Sequence, residues 1–331
     1  MSAVSEAGAD VTTALVTGAN GFVGRALIDG LRRCGWDVRA AVRNPAAAEV
    51  LAPGIPVAVV GDVDGDTDWG DALRDVDVVF HLAARVHVMD ERAVDPLAEF
   101  RRVNTEGTMC LGRAAATRGV RRLIYLSTIK VNGERTSAAP FRAADPACPE
   151  DPYAVSKWEA EQGLRSLASE TDLEVTVVRP PLVYGPGVKG NLLRLLAIVD
   201  RETWLPLASV RNARSLIGLR NLVDVLIQCA TNPRAANQTL LVSDGEDLST
   251  PELVRRLARV LGRRPRLIAV PSLLLRLVAR LLGQSAAFER LTGSLQIDAN
   301  ETRSRLAWAP PQTVDQGLAE TAEWFRASKA D

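Results

Sequence analysis

The sequence predicts an α/β protein: a doubly wound parallel sheet joined to a smaller, mainly helical C-terminal lobe. Three observations predict it. Between residues 13 and 180, short β-branched apolar runs alternate with longer helical patterns, the signature of a parallel sheet with helices on both faces. The runs are nearly continuous in apolar character, as strands buried on both faces require. After residue 187 the alternation loosens, and from 249 onward the pattern is mostly helical.

Taken in order, strands are expected at 13–17, 37–43, 56–61, 77–83, 122–128 and 174–180, with a late return at 238–244. Helices are expected at 22–34, 93–118 and 153–169. The last of these opens on Asp151, a fair N-cap, and Pro152, which suits a first helical position. Residues 188–215 read as helix plus loop, and Ser249 or Thr250 caps the helix that follows. A dinucleotide-binding domain is therefore expected at 12–185 plus 219–248, and a second lobe at 186–218 plus 249–328. Residues 1–11 lack a basic flank and an apolar centre and read as a disordered tail rather than a secretory signal. The apolar stretch 270–283 is too short to span a bilayer and is expected to pack as a helix. A position on a membrane surface is the alternative, with few charges on its polar face to favour it.

Composition excludes several classes. Forty basic and forty acidic residues give no net charge, so no nucleic-acid partner is expected. Cys34, Cys110, Cys148 and Cys229 form no CxxC pair, and the only histidines are His81 and His87. No metal site and no disulfide framework are expected, and a reducing, cytoplasmic location fits.

The first strand-to-helix turn reads T-G-A-N-G-F-V-G over 17–24. Gly18 permits a tight turn, Gly21 lets backbone N–H groups approach a phosphate, and Gly24 lets helix and strand pack closely. A pyrophosphate then sits at the positive end of the helix. An NAD site usually ends its second strand with an acid, but Arg43 stands there instead. A guanidinium suits a 2′-phosphate, so NADP(H) is expected over NAD(H). Further on, Tyr153 and Lys157 lie one helical turn apart and share a face.

The glycine turn, together with HLAA at 81–84, YAVSK at 153–157 and RPPLVYGPG at 179–187, resembles the extended short-chain dehydrogenase/reductase family, a Rossmann-fold group, in its NAD-dependent epimerase/dehydratase branch. HLAARVHVM, IKVNGE and SDGEDLST are similar to bacterial UDP-N-acetylhexosamine 4-epimerases and UDP-N-acetylquinovosamine-forming 4-ketoreductases. The resemblance implies that Tyr153 is the acid/base toward a sugar hydroxyl, that Lys157 binds the nicotinamide ribose, and that Thr128 (with Ser127 as the adjacent alternative) completes the catalytic set. It implies a cofactor shell of Gly18, Asn20, Gly21, Phe22, Val23, Gly24, Arg43, Asp62, Val63, Leu82, Ala83, Ala84, Asn104, Pro180 and Val183, besides Tyr153 and Lys157. Val86, Lys130, Asn191 and Arg214 are the substrate-side candidates, with Arg211 as a neighbour of the last. His81 is expected to be a packed residue. A free phenol has a pKa of about 10. A nearby ammonium and an oxidised nicotinamide are expected to lower it.

The resemblance also bears on the reaction. The branch's 4,6-dehydratases follow the strand-end hydroxyl with Asp-Glu, where this chain has Ile129 and Lys130. Hydride transfer at C4 of a UDP-sugar remains. The expectation is 4-keto reduction of a UDP-2-acetamido-2,6-dideoxyhexos-4-ulose in surface polysaccharide biosynthesis. The alternative is a UDP-glucose or UDP-N-acetylglucosamine 4-epimerase. A dinucleotide-binding regulatory or assembly subunit is the reading from another class. Leu182 departs from a frequent family Asn. A homodimer paired through helices 93–118 and 153–169 is expected from the family.

Overall fold

The computed structural model describes residues 12–86, 95–281 and 285–330. The tail expected at 1–11, His87 and the first residues of the helix expected at 93–118 lie outside them. The chain runs β1 (Thr13–Thr17), α1 (Phe22–Arg33), β2 (Asp37–Val42), β3 (Val57–Val59), β4 (Val78–His81), α2 (Pro96–Arg101), α3 (Gly107–Thr117), β5 (Arg122–Leu126), α4 (Pro152–Glu170) and β6 (Glu174–Arg179). It continues through β7 (Leu182–Tyr184), α5 (Gly190–Asp200), β8 (Arg214–Gly218), α6 (Leu219–Thr231), β9 (Thr239–Leu241) and β10 (Asp247–Leu248). The helices α7 (Thr250–Leu261), α8 (Ser272–Leu281), α9 (Ser285–Thr292), α10 (Asn300–Leu306) and α11 (Val314–Ala330) finish it.

Seven strands form one parallel sheet in the order β3-β2-β1-β4-β5-β6-β9. Its two faces carry separate cores. Leu27, Ile28 and Leu31 of α1 meet Leu222, Val225 and Leu226 of α6 on one side. Leu111 and Ala115 of α3 meet Ala160 and Leu164 of α4 on the other. Strand order reverses between β1 and β4, and ligand crevices of such sheets open there, beyond the carboxyl ends of the strands.

Three features depart from the expected elements. The helix expected through 93–118 is interrupted: α2 and α3 are joined by a π-helical turn over Arg102–Glu106. Such bulges rotate a side chain out of the regular register, and here the turn carries Asn104. Gly107 follows because a Cβ there would lie 2.7 Å from a Val63 methyl. A second sheet, β10-β8-β7, was not legible in the sequence. Its strands span only two to five residues, too few for an alternation to register. Lastly, α8 forms as expected but does not pack as a buried helix. Leu273, Leu274, Leu277 and Leu281 are exposed.

A third core, with Leu192 and Leu196 of α5, Leu257 and Leu261 of α7 and Leu318 and Phe325 of α11, holds the C-terminal region together. Among the described residues, no helix is long and apolar enough to cross a membrane.

Candidate active site

The turn after β1 is built from backbone. Gly18 has φ +64°, a left-handed conformation that side chains resist, and a Cβ there would lie 2.8 Å from the Ala83 nitrogen. A Cβ on Gly24 would collide with the Gly18 carbonyl. Gly21 donates to that carbonyl at 2.9 Å and caps α1 with no side-chain bond. The first N–H groups of α1 thus have no side-chain acceptor at the cap. That is the cradle a pyrophosphate requires, so the residues fit a dinucleotide. Asn20 is exposed beside the turn, and Phe22 and Val23 are half-buried in the first turn of α1.

The loop after β4 is tied to this turn from beneath. Thr17 Oγ1 accepts from the N–H groups of Leu82 and Ala83, both at 3.1 Å. It lies 2.7 Å from His81 Nδ1, whose Nε2 is 2.9 Å from Thr108 Oγ1. Thr108 donates to the Asn104 carbonyl at 2.6 Å, so its oxygen accepts from the ring. Donor count therefore assigns a neutral imidazole protonated on Nε2. Burial, then the charge of Lys157, lowers the His81 pKa to about 3. His81 is the packed residue expected, and it stacks 5.7 Å from Tyr125.

Asn104 is fully buried. Its Oδ1 accepts from Arg85 N–H at 2.8 Å, and its Nδ2 donates to the Arg85 carbonyl and to Ser156 Oγ, both at 3.0 Å. Ser156 Oγ in turn donates to the Tyr153 carbonyl at 2.8 Å. Asn104 therefore clips the Leu82–Val86 loop onto α4. Its polar atoms serve protein partners, so a direct cofactor contact, as the sequence implied, is not what the geometry presents.

The opposite wall comes from β5 and α4. Asp151 caps α4 by accepting from Ala154 N–H at 2.6 Å, which sets Tyr153 in the first turn and Lys157 one turn later. Tyr153 is half-buried, with its ring 6.0 Å edge-on from Phe100. Lys157 is only 1% exposed, and its Nζ stands 4.0 Å over the Tyr125 ring. Burial, opposed by Glu161, lowers the ammonium pKa to about 7. Tyr153 moves the other way: burial first, then the Asp151 carboxylate, push its phenol above the ordinary value. The acidified phenol expected from the sequence is thus not produced by the protein alone, because burial and the Asp151 carboxylate both act to raise it.

Of the two strand-end hydroxyls, Ser127 is buried and donates to Glu161 Oε1 at 2.5 Å. Thr128 is half-buried, and its oxygen accepts from Lys130 N–H at 3.3 Å. Alternation along the strand sends the two to different surroundings, and Ser127's goes to a carboxylate.

The family model of the NAD dependent epimerase/dehydratase family matches residues 14–242. The chain belongs to that family. It is 43% identical over 314 residues to a UDP-glucose 4-epimerase of Vibrio cholerae, covering 94% of each chain. The solved structure of MoeE5 in complex with UDP-glucose and NAD matches with a TM-score of 0.76 at 26% identity, over 96% of this chain and 99% of that one. The UDP-glucose 4-epimerase of Thermotoga maritima, solved with UDP-glucose, shares the fold with a TM-score of 0.77 at 21% identity, covering 96% of this chain and 100% of that one.

Other residues singled out as members of this epimerase/dehydratase site are placed as follows. Arg43 is exposed, and its Nε pairs with Asp62 Oδ1 at 2.8 Å. Val63 is half-buried against Gly107. Pro180 is buried and its carbonyl accepts from Ile129 N–H at 3.0 Å, while Val183 is half-buried in β7. Lys130 does not present a free ammonium toward a sugar: it donates to Glu134 Oε1 and Asp151 Oδ2, both at 2.7 Å. Burial lowers its pKa, but those two partners more than reverse that, and the net shift is upward. Val86, Asn191, Arg211 and Leu182 are exposed. Arg214 opens β8, half-buried, and its Nη1 donates to the Gly293 carbonyl at 3.0 Å.

Sequence reasoning missed the supports. Thr17 and Ser156 hold the loops. Behind Lys157, the fully buried Glu161 accepts from Arg179 Nε at 3.0 Å and Nη2 at 2.5 Å, and Arg179 Nη1 donates to Asn132 Oδ1 at 2.9 Å. The spacing Lys157 to Glu161, one further helical turn, was the only sequence signal for it.

Proposed function

We propose that this protein is a UDP-sugar 4-epimerase that works with NAD(H). The observation that carries the reading is the 43% identity to the Vibrio cholerae UDP-glucose 4-epimerase over nearly the whole of both chains. This reverses the order expected from the sequence, where net 4-keto reduction came first. The presence of Thr128, Tyr153 and Lys157 together supports an enzyme over a regulatory subunit, and we keep the cytoplasmic location expected from the sequence as part of the proposal.

In this reading, Tyr153 takes the proton from the sugar 4-hydroxyl and returns it to that same oxygen once the configuration at C4 has inverted. Thr128 Oγ1 hydrogen-bonds the same sugar oxygen. Lys157, desolvated and backed by Glu161, concentrates positive potential at the ribose and phenol. The backbone of Gly18–Gly24 and the N-terminus of α1 hold the pyrophosphate. The nicotinamide would supply the hydride acceptor and donor at C4, and its positive charge when oxidised would bring the Tyr153 phenol back down. Arg214 and Asn191 are proposed on the nucleotide side of the substrate. We propose NAD(H) rather than the NADP(H) expected from Arg43, because Asp62 engages that guanidinium and a carboxylate so close would repel a 2′-phosphate. The two-lobe division at 12–185 plus 219–248 and 186–218 plus 249–328, and a homodimer paired along α3 and α4, are part of the same proposal.

The test is incubation of the purified protein with UDP-glucose and with UDP-N-acetylglucosamine, reading the C4 configuration by NMR. Inversion without net change in reduced nicotinamide is expected. Stoichiometric oxidation of NADPH against a 4-keto-6-deoxy UDP-sugar, with no inversion of either substrate, would overturn it.

A further inference from the structure

Among the described residues, α8 carries the densest run of exposed large apolar side chains. Leu273 and Leu281 are each 78% exposed, Leu277 54% and Leu274 51%. Leu273, Leu277 and Leu281 repeat at i, i+4 and i+8 and so share one stripe, with Leu274 beside it. Single exposed leucines are ordinary, but four on one ten-residue helix are not. Further exposed apolar side chains lie in the chain just before α8 and on the strand-like segment paired with it. Leu205 donates to the Arg266 carbonyl at 2.8 Å and Ile268 to the Leu205 carbonyl at 2.9 Å. This short ladder sets exposed Ile268 next to exposed Trp204, with the Arg266 guanidinium 5.1 Å over the indole.

The chain segment that carries the patch is mostly basic, with Asp200, Glu202 and Glu289 as the acids that pair with or flank it. The whole chain is balanced, yet residues 253–288 hold eight arginines and no acid. Four of them are engaged: Arg255 and Arg256 by Glu252, Arg263 by Asp200 and Arg266 by Glu202. Arg259, Arg264 and Arg280 have no ion-pair partner among the described residues, and Arg280 borders the leucine stripe in the helical register.

We propose that α8, with Trp204 and Ile268, is a docking surface for an anionic phospholipid bilayer. An apolar stripe edged by arginine and an aromatic ring matches the acyl boundary and the charged headgroups together. A second copy of the chain is the poorer occupant, because it would set two arginine-rich faces against each other. Nucleic acid would leave the leucines in water. The docked helix packs against α9, and just past that helix the Gly293 carbonyl holds Arg214. Docking therefore seats the C-terminal region, and the β8 edge of the site with it, at a membrane surface. The inference does not depend on which sugar chemistry the site performs.

The experiment is flotation of the full-length protein with vesicles of equal parts phosphatidylcholine and phosphatidylglycerol, and with pure phosphatidylcholine. The protein is expected to float with the mixed vesicles and about tenfold less with the neutral ones, the difference vanishing in high salt. The Leu273→Ser/Leu277→Ser/Leu281→Ser variant is expected to lose about tenfold of the bound fraction, its melting temperature reporting that it folds. If that variant fails to fold, Arg264→Gln/Arg280→Gln decides the matter by a severalfold loss on the mixed vesicles. The proposal is overturned if the parent protein stays unbound to both vesicles, or if the folded variants float as well as it does. It is also overturned if light scattering shows an oligomer that the leucine variant dissociates, with no vesicle capture: the face is then a contact between copies.

Discussion

The two walls of the crevice are made of different material. The wall of β1, α1 and the loop after β4 is backbone: glycine turns, a helix N-terminus and main-chain N–H groups held by the Thr17 hydroxyl. The wall of β5, α4 and the end of β6 is buried charge: Lys157, Glu161 and Arg179 are each no more than 1% exposed. A backbone wall has one fixed shape and little charge. A charged wall can tune a proton, but it is stable only while every member keeps its partner. In the proposed function, the first wall binds the dinucleotide and the second carries the proton chemistry.

The sharpest way to break this division is Tyr153→Phe. If proton transfer belongs to the charged wall alone, turnover falls about a thousandfold while NAD affinity, read by fluorescence quenching, stays within about twofold. Equal losses in both would erase the distinction. Next comes Glu161→Ala. It leaves Lys157 and Arg179 buried without their carboxylate, and urea denaturation is expected to show a loss of about 3–4 kcal/mol. Since Glu161 raises the Lys157 pKa, the Lys157 titration, followed by NMR, should move below about 7.

The backbone wall has one titratable member. His81 binds its proton with a pKa of about 3 in the folded chain, against 6.5 in the unfolded one. A depressed folded value means the unfolded chain takes up the proton first as pH falls. The stability is complete above pH 6.5 and is lost progressively between 6.5 and 3. Roughly 2 kcal/mol should go between about pH 6.5 and 5, and urea midpoints across that range should flatten in His81→Gln.

The smallest effect is expected at the rim. Arg43 and Asp62 are 70% and 59% exposed as side chains, and exposed pairs contribute little. Arg43→Ala should change the ratio of NADH to NADPH affinity by less than about threefold. A larger shift toward NADH would restore the 2′-phosphate role that the sequence implied.

Legibility followed the same division. The Gly18–Gly24 turn was readable because glycine at a left-handed φ or a tight crossing is required by local geometry, and the strands of the main sheet were readable because double burial leaves an unbroken apolar run. The polar supports were not. Asn104 was expected beside the cofactor, and only the π-helical turn shows its polar atoms holding the Leu82–Val86 loop; Thr128 was preferred over Ser127 by register, and the buried partner of Ser127, Glu161, was not foreseen. The leucines of α8 read as core because apolar composition does not say whether anything covers it.

The sequence by itself determined the alternating strands and helices of the main sheet, the glycine turn and the one-turn spacing of Tyr153 and Lys157, since each depends on neighbours within a few residues. Only the tertiary structure decided that the phenol sits in a desolvating pocket, that a buried carboxylate stands behind the lysine, and that the leucine helix faces water. Those outcomes depend on which distant segments exclude solvent from a side chain, and exclusion of solvent is a property of the packed chain, not of any stretch of it.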